Sequence, residues 1–75
     1  MIIANKNRTM LLKQWQEICI HSIPDGFMVV AIVERRHYPV NLFKGMKTEC
    51  EELVKDIACA IESGCHLFVL PTSKV

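Results

Sequence analysis

The sequence predicts a small two-layer α+β domain in the order α-β-β-α-β, with two helices packed on one face of a mostly antiparallel sheet. Three observations carry that expectation. Apolar residues recur at helical spacing in two stretches, 8–21 and 48–63. Between them, Phe27–Val33 is an unbroken apolar run rich in β-branched residues, which suits a strand covered on both faces or central in its sheet. Pro24-Asp25-Gly26 separates the first helical stretch from that run, because proline presets φ and glycine tolerates positive φ.

The first helix is expected from Arg8 to His21. Leu11, Leu12, Trp15, Ile18 and Cys19 form its apolar stripe, and Lys13, Gln14, Gln16 and Glu17 face the other way. Asn7 or Thr9 can cap its start with a side-chain oxygen. After the Phe27–Val33 strand, Glu34-Arg35-Arg36-His37 reads as the exit into a hairpin, and Tyr38–Lys44 as a second strand. Pro39 lacks a donor N–H, so that strand is an edge or starts there. Thr48 and Glu51 have the spacing of a capping box for the second helix. Glu49, Glu51, Glu52 and Asp56 suit the positive end of its dipole. Its stripe is Cys50, Leu53, Val54, Ile57 and Ile61, and Gly64 is its left-handed stop. His66–Leu70 is the last strand, ended by Pro71. If Met1–Ala4 adds a strand, the order becomes the ferredoxin-like β-α-β-β-α-β.

At 75 residues the chain is expected to be a single domain, 1–75. With 51% hydrophobic and 23% charged residues it is globular and not disordered. The net charge of +1 supplies no bulk attraction to nucleic acid or an anionic membrane. That neutrality hides a split. Residues 1–47 hold seven Lys/Arg and three acids, a balance of +4, and residues 48–75 hold two Lys and five acids, a balance of −3. No apolar run follows a basic start, and the longest run is far short of the ~20 residues of a membrane span. A cytoplasmic protein is expected, with no membrane partner. Its cysteines, Cys19, Cys50, Cys59 and Cys65, are expected to be reduced.

The chemistry-bearing residues are few. Cys19-x-His21 and Cys65-His66 together would supply a Cys2His2 ligand set. Adjacent residues on a strand point to opposite faces, so Cys65 and His66 could not easily share one ion. Neither a metal nor a cofactor is expected. Cys59 lies half a turn from Cys50, among Glu52, Lys55 and Asp56, where acidic neighbours oppose a thiolate. It reads as a contact for a partner rather than a nucleophile. There is no Gly-x-Ser-x-Gly elbow and no glycine-rich phosphate loop, so no catalytic residue is assigned and the chain is not expected to be an enzyme.

The resulting expectation is a small non-catalytic interaction module, an inhibitor or adaptor docking onto a larger protein or complex. Regulators of phage and mobile elements often have this size and lack chemistry in this way. Its contact residues are Arg35, Arg36, His37 and Tyr38 at the hairpin, and Glu52, Asp56 and Cys59 on the helix. Two helices cover one sheet face, so the other is expected to be covered by the mate in a homodimer or by another protein docked on it. The alternative is a nucleic-acid-binding regulator that grips phosphate with the basic hairpin.

Overall fold

A computed structural model of the chain describes residues 1–73. It contains strands β1 (Ile2–Ala4), β2 (Leu11–Leu12), β3 (Glu17–Ile23), β4 (Gly26–Ile32) and β5 (Val40–Gly45), then helix α1 (Lys47–Glu62) and strand β6 (Leu67–Val69). The strands form two three-stranded sheets, ordered β2-β1-β6 and β3-β4-β5. This overturns the α-β-β-α-β order and its two helices, and the ferredoxin-like alternative with them. The stretch 8–21 is not a helix: it holds β2, a connection through Trp15, and most of β3.

The physical reason lies in β3 itself. Its apolar residues also fit a period of two, with Ile18 and Ile20 on one face and Glu17, Cys19 and His21 on the other. Three isoleucines in seven residues favour extended backbone. The Pro24-Asp25 connection is short enough to fold β3 back onto β4 as a hairpin, in register from Ile23↔Gly26 to Glu17↔Ile32. Gly26, at φ +146°, holds a backbone shape that a side chain would strain.

The other elements follow local chemistry. β4 is the central strand of its sheet, between β3 and β5. Between β4 and β5 the register slips by one residue, with Val29 opposite Phe43 and Val30 opposite Asn41. Leu42 is the extra residue of this bulge, and both Leu42 and Phe43 are buried in the core. Pro39 immediately precedes β5. The helix begins two residues earlier than the Thr48–Glu51 pattern implies. Its cap residue is Met46, whose N–H donates to Glu49 Oε1 at 2.9 Å. Gly64 ends it at φ +74°, and the Cys65 N–H reaches back to the Ala60 carbonyl at 3.0 Å.

Cys50, Leu53 and Ile57 are the buried stripe of α1, and the helix lies chiefly over β4, flanked by β3 and β5. They join Val29, Ala31, Leu42 and Phe43 from that sheet and Ile3, Leu12 and Leu70 from the β2-β1-β6 side in one core. Two sets of residues stay outside it. On the β3-β4-β5 face turned away from α1 lie Cys19, Ile23, Met28, Val30 and Ile32; Val30 is only 2% exposed yet does not belong to the core cluster. On the outer face of β2-β1-β6, Leu11, Leu67 and Val69 are exposed. No helix among the described residues is long and apolar enough to cross a membrane.

Candidate functional site

Among the described residues, two surface clefts stand out, with opposite electrostatic character. The larger, about 670 Å³, lies where the β2–β3 connection meets the loop after β4. Lys13, Gln14, Trp15 and Gln16 form one wall, Val33, Glu34 and Arg35 another, and Met1 closes it. The loop wall is a turn in which the Arg36 N–H donates to the Val33 carbonyl at 3.3 Å. Arg35 occupies its left-handed position at φ +69°. The half-buried indole of Trp15 therefore shares a cleft with two cations and one carboxylate.

The second cleft, about 390 Å³, runs between α1 and β6. Phe43, Leu53, Phe68, Val69 and Pro71 supply its apolar lining. Glu49, Glu52 and Asp56 line it from α1, at the three- and four-residue spacing that stacks side chains along one flank of a helix. The charged side chains among its described lining residues are all acidic. Gly45 packs against two of its lining residues, Phe43 and Glu49. A Cβ there would come within 2.7 Å of the Phe43 ring and 3.1 Å of Glu49 Oε1. The glycine thus lets the buried Phe43 ring and the capping carboxylate occupy the same corner.

The seven residues singled out by the sequence divide between these places and the open surface. Arg35 lines the Trp15 cleft, and Glu52 and Asp56 line the acidic groove. Arg36, His37 and Tyr38 are exposed on the loop beyond Arg35, Tyr38 at 82%, and line neither cleft. Cys59 is exposed on α1 and lines neither. The hairpin and helix residues thus belong to separate sites. Trp15 and Lys13 were missed because a helical reading placed Trp15 in a core stripe. The signal that could have found the cleft is a tryptophan flanked by Lys13, Gln14 and Gln16, a polar setting for a core residue.

Among the cysteines, all free thiols, Cys50 is fully buried. Burial pushes its thiol up, the Glu49 carboxylate adds to this, and the Gly45 N–H pulls the other way. Cys19 is half-buried on the outer face of β3, where its Sγ lies 3.4 Å from His21 Nε2. Its thiol is pushed up by burial, then by the charge of Glu17 and a hydrogen bond to that side chain. Cys65 and His66 do not join them. Among the described residues no three His, Cys, Asp or Glu side chains converge to hold a metal. No family model, no curated protein and no solved structure matches this chain.

Proposed function

We propose that the chain is a non-catalytic interaction module that seats a basic, apolar-bearing segment of a larger protein in the groove between α1 and β6. The observation that carries this reading is the run Glu49, Glu52, Asp56 above an apolar lining of Phe43, Leu53, Phe68, Val69 and Pro71. Such a groove offers apolar surface to bury and a single sign of charge to select the incoming segment. An inhibitor or adaptor of this kind acts by occupancy.

The test uses a fluorescein-labelled amphipathic peptide alternating Lys/Arg with Leu, with anisotropy as the readout. Binding is expected to weaken at least tenfold in Glu52→Lys/Asp56→Lys, and to remain in Arg35→Ala/Arg36→Ala. Equal binding by the wild type and the charge-reversed variant would overturn the reading. Trp15, the single tryptophan, lies in the other cleft, so its fluorescence should not respond to this peptide.

One observation favours a second reading. The indole of Trp15 beside Lys13 and Arg35 is a combination that stacks a base and neutralises a phosphate. A labelled thymidine oligomer that quenches Trp15, loses affinity steeply with salt and is released by Arg35→Ala would support nucleic-acid binding instead.

A further inference from the structure

We propose that Cys19 and His21 are half of a tetrahedral metal site of the zinc class, completed by the same two residues of a second copy paired along β3. The case begins with the pair itself. Both side chains stand on the β3 face turned away from α1, two residues apart, with Sγ and Nε2 separated by 3.4 Å. Thiolate and imidazole bound to one tetrahedral zinc, at about 2.3 Å and about 2.0 Å, lie about 3.5 Å apart. The two donors already have the spacing of one edge of such a site. They are two ligands only, and among the described residues no third His, Cys, Asp or Glu side chain converges on them.

The other half has an obvious route of approach. β3 is an edge strand of its sheet, paired to β4 alone. Its seven residues contain no proline, lysine, arginine or bulge, the devices with which edge strands discourage pairing. The outer edge of β5 differs, because its Lys44 N–H is taken by Ser73 Oγ at 3.1 Å.

The sequence of β3 is also self-complementary about Ile20. Antiparallel pairing with a copy about that residue sets Ile20 against Ile20 and Ile18 against Ser22 on the face toward α1. On the other face it sets Cys19 of each copy against His21 of the other. Residues directly opposite have Cβ atoms about 4.5–5.5 Å apart. The four donors therefore cluster on one face across the two-fold axis. Glu17, the one acid on the strand, faces Ile23 of the other copy, so no like charges oppose each other.

The two helices leave room for this. α1 lies over β4, and the β4 strands of the two copies are three strand spacings apart, about 14 Å. Packed helices need only about 8–10 Å between axes. Metal binding replaces the thiol proton of each Cys19, releasing two protons to solvent, and the two thiolates neutralise the dication. The chemistry of a Cys2His2 set selects zinc-like ions over magnesium or calcium.

The experiment titrates Co²⁺, a spectroscopic stand-in for Zn²⁺, into the reduced full chain, with light scattering run in parallel. The expected result is a visible tetrahedral thiolate spectrum with its endpoint at one metal per two chains. The mass should double from 8.6 kDa per chain in the same step. Cys19→Ser and His21→Asn, each checked for fold by circular dichroism, should abolish both signals. Cys59→Ser and Cys65→Ser should leave them intact. An endpoint of one metal per chain without dimerisation would overturn the proposal. So would the absence of a tetrahedral spectrum, or an unchanged spectrum in the folded His21→Asn variant.

Discussion

Arg35 is held at φ +69°, in a region where the Cβ of an ordinary residue crowds its own carbonyl. Its neighbour Arg36 is equally exposed but carries no such backbone constraint. Arg35→Val is therefore expected to destabilise the fold by about 1 kcal/mol more than Arg36→Val, because a β-branched side chain tolerates that backbone worst. Urea unfolding of the two variants measures the difference, and equal midpoints would refute the strain. Cys50 makes a second prediction at this scale. Its thiol is raised in the fold, so the stability it contributes is present in full below the ordinary thiol range of about 8.5. That stability is lost as the pH climbs through the raised value. Unfolding free energy should hold steady through neutrality and fall on the alkaline side, with a shallower fall in Cys50→Ala. A wild type and a variant with the same alkaline slope would show that the thiolate is not disfavoured there. Cys19, also raised, acts on the slope in the same direction.

Among the elements, α1 was legible in the sequence and β3 was not, and the difference is physical. The α1 stripe of Cys50, Leu53 and Ile57 has no competing period, and Gly64 marks its end without ambiguity. Its start was misplaced by two residues, because Glu49 serves the Met46 N–H where Glu51 was expected to serve Thr48. β4 was read as a strand covered on both faces or central in its sheet, and it is central, between β3 and β5; the turn after it falls at Glu34 and Arg35, within the expected exit. The segment 11–23 satisfies two periods at once. Leu11, Leu12, Trp15, Ile18 and Cys19 fit a helix; Ile18 and Ile20 against Glu17, Cys19 and His21 fit a strand. A local pattern cannot decide between them. The decision comes from β4, a central strand whose nearest available partner is the chain two residues upstream of it. The same misreading hid the Cys19–His21 pair. On a helix, residues two apart diverge by about 200°, whereas on a strand they point the same way. β1 was legible only as a possibility, since three residues carry too little pattern to announce a strand.

Across the whole molecule, the charge split of the sequence has a spatial counterpart. The cleft at Trp15 holds Lys13 and Arg35, and the groove along α1 holds Glu49, Glu52 and Asp56. The chain measures 33 × 27 × 23 Å with a radius of gyration of 11.8 Å, close to the about 11 Å of a compact chain this long. Three of its exposed large apolar residues, Leu11, Leu67 and Val69, share one face of the small sheet built on β1.

That small sheet makes the polypeptide a closed loop. β1 pairs in parallel with β6, Ile2 opposite Leu67, across nearly the full length of the chain. The hairpin β3–β4 and the adjoining β5 need only near neighbours to form. The β1–β6 seam must wait until the intervening chain has ordered, because contacts this distant in sequence carry the largest closure entropy. It is also only three residues long. The seam should be the last part to close and the first to open. In native-state hydrogen exchange, the amides at Ile2–Ala4 and Leu67–Val69 are expected to exchange well before those of Val29–Ala31. The reverse order would mean that the seam, not the hairpin, is the kinetic anchor of the fold.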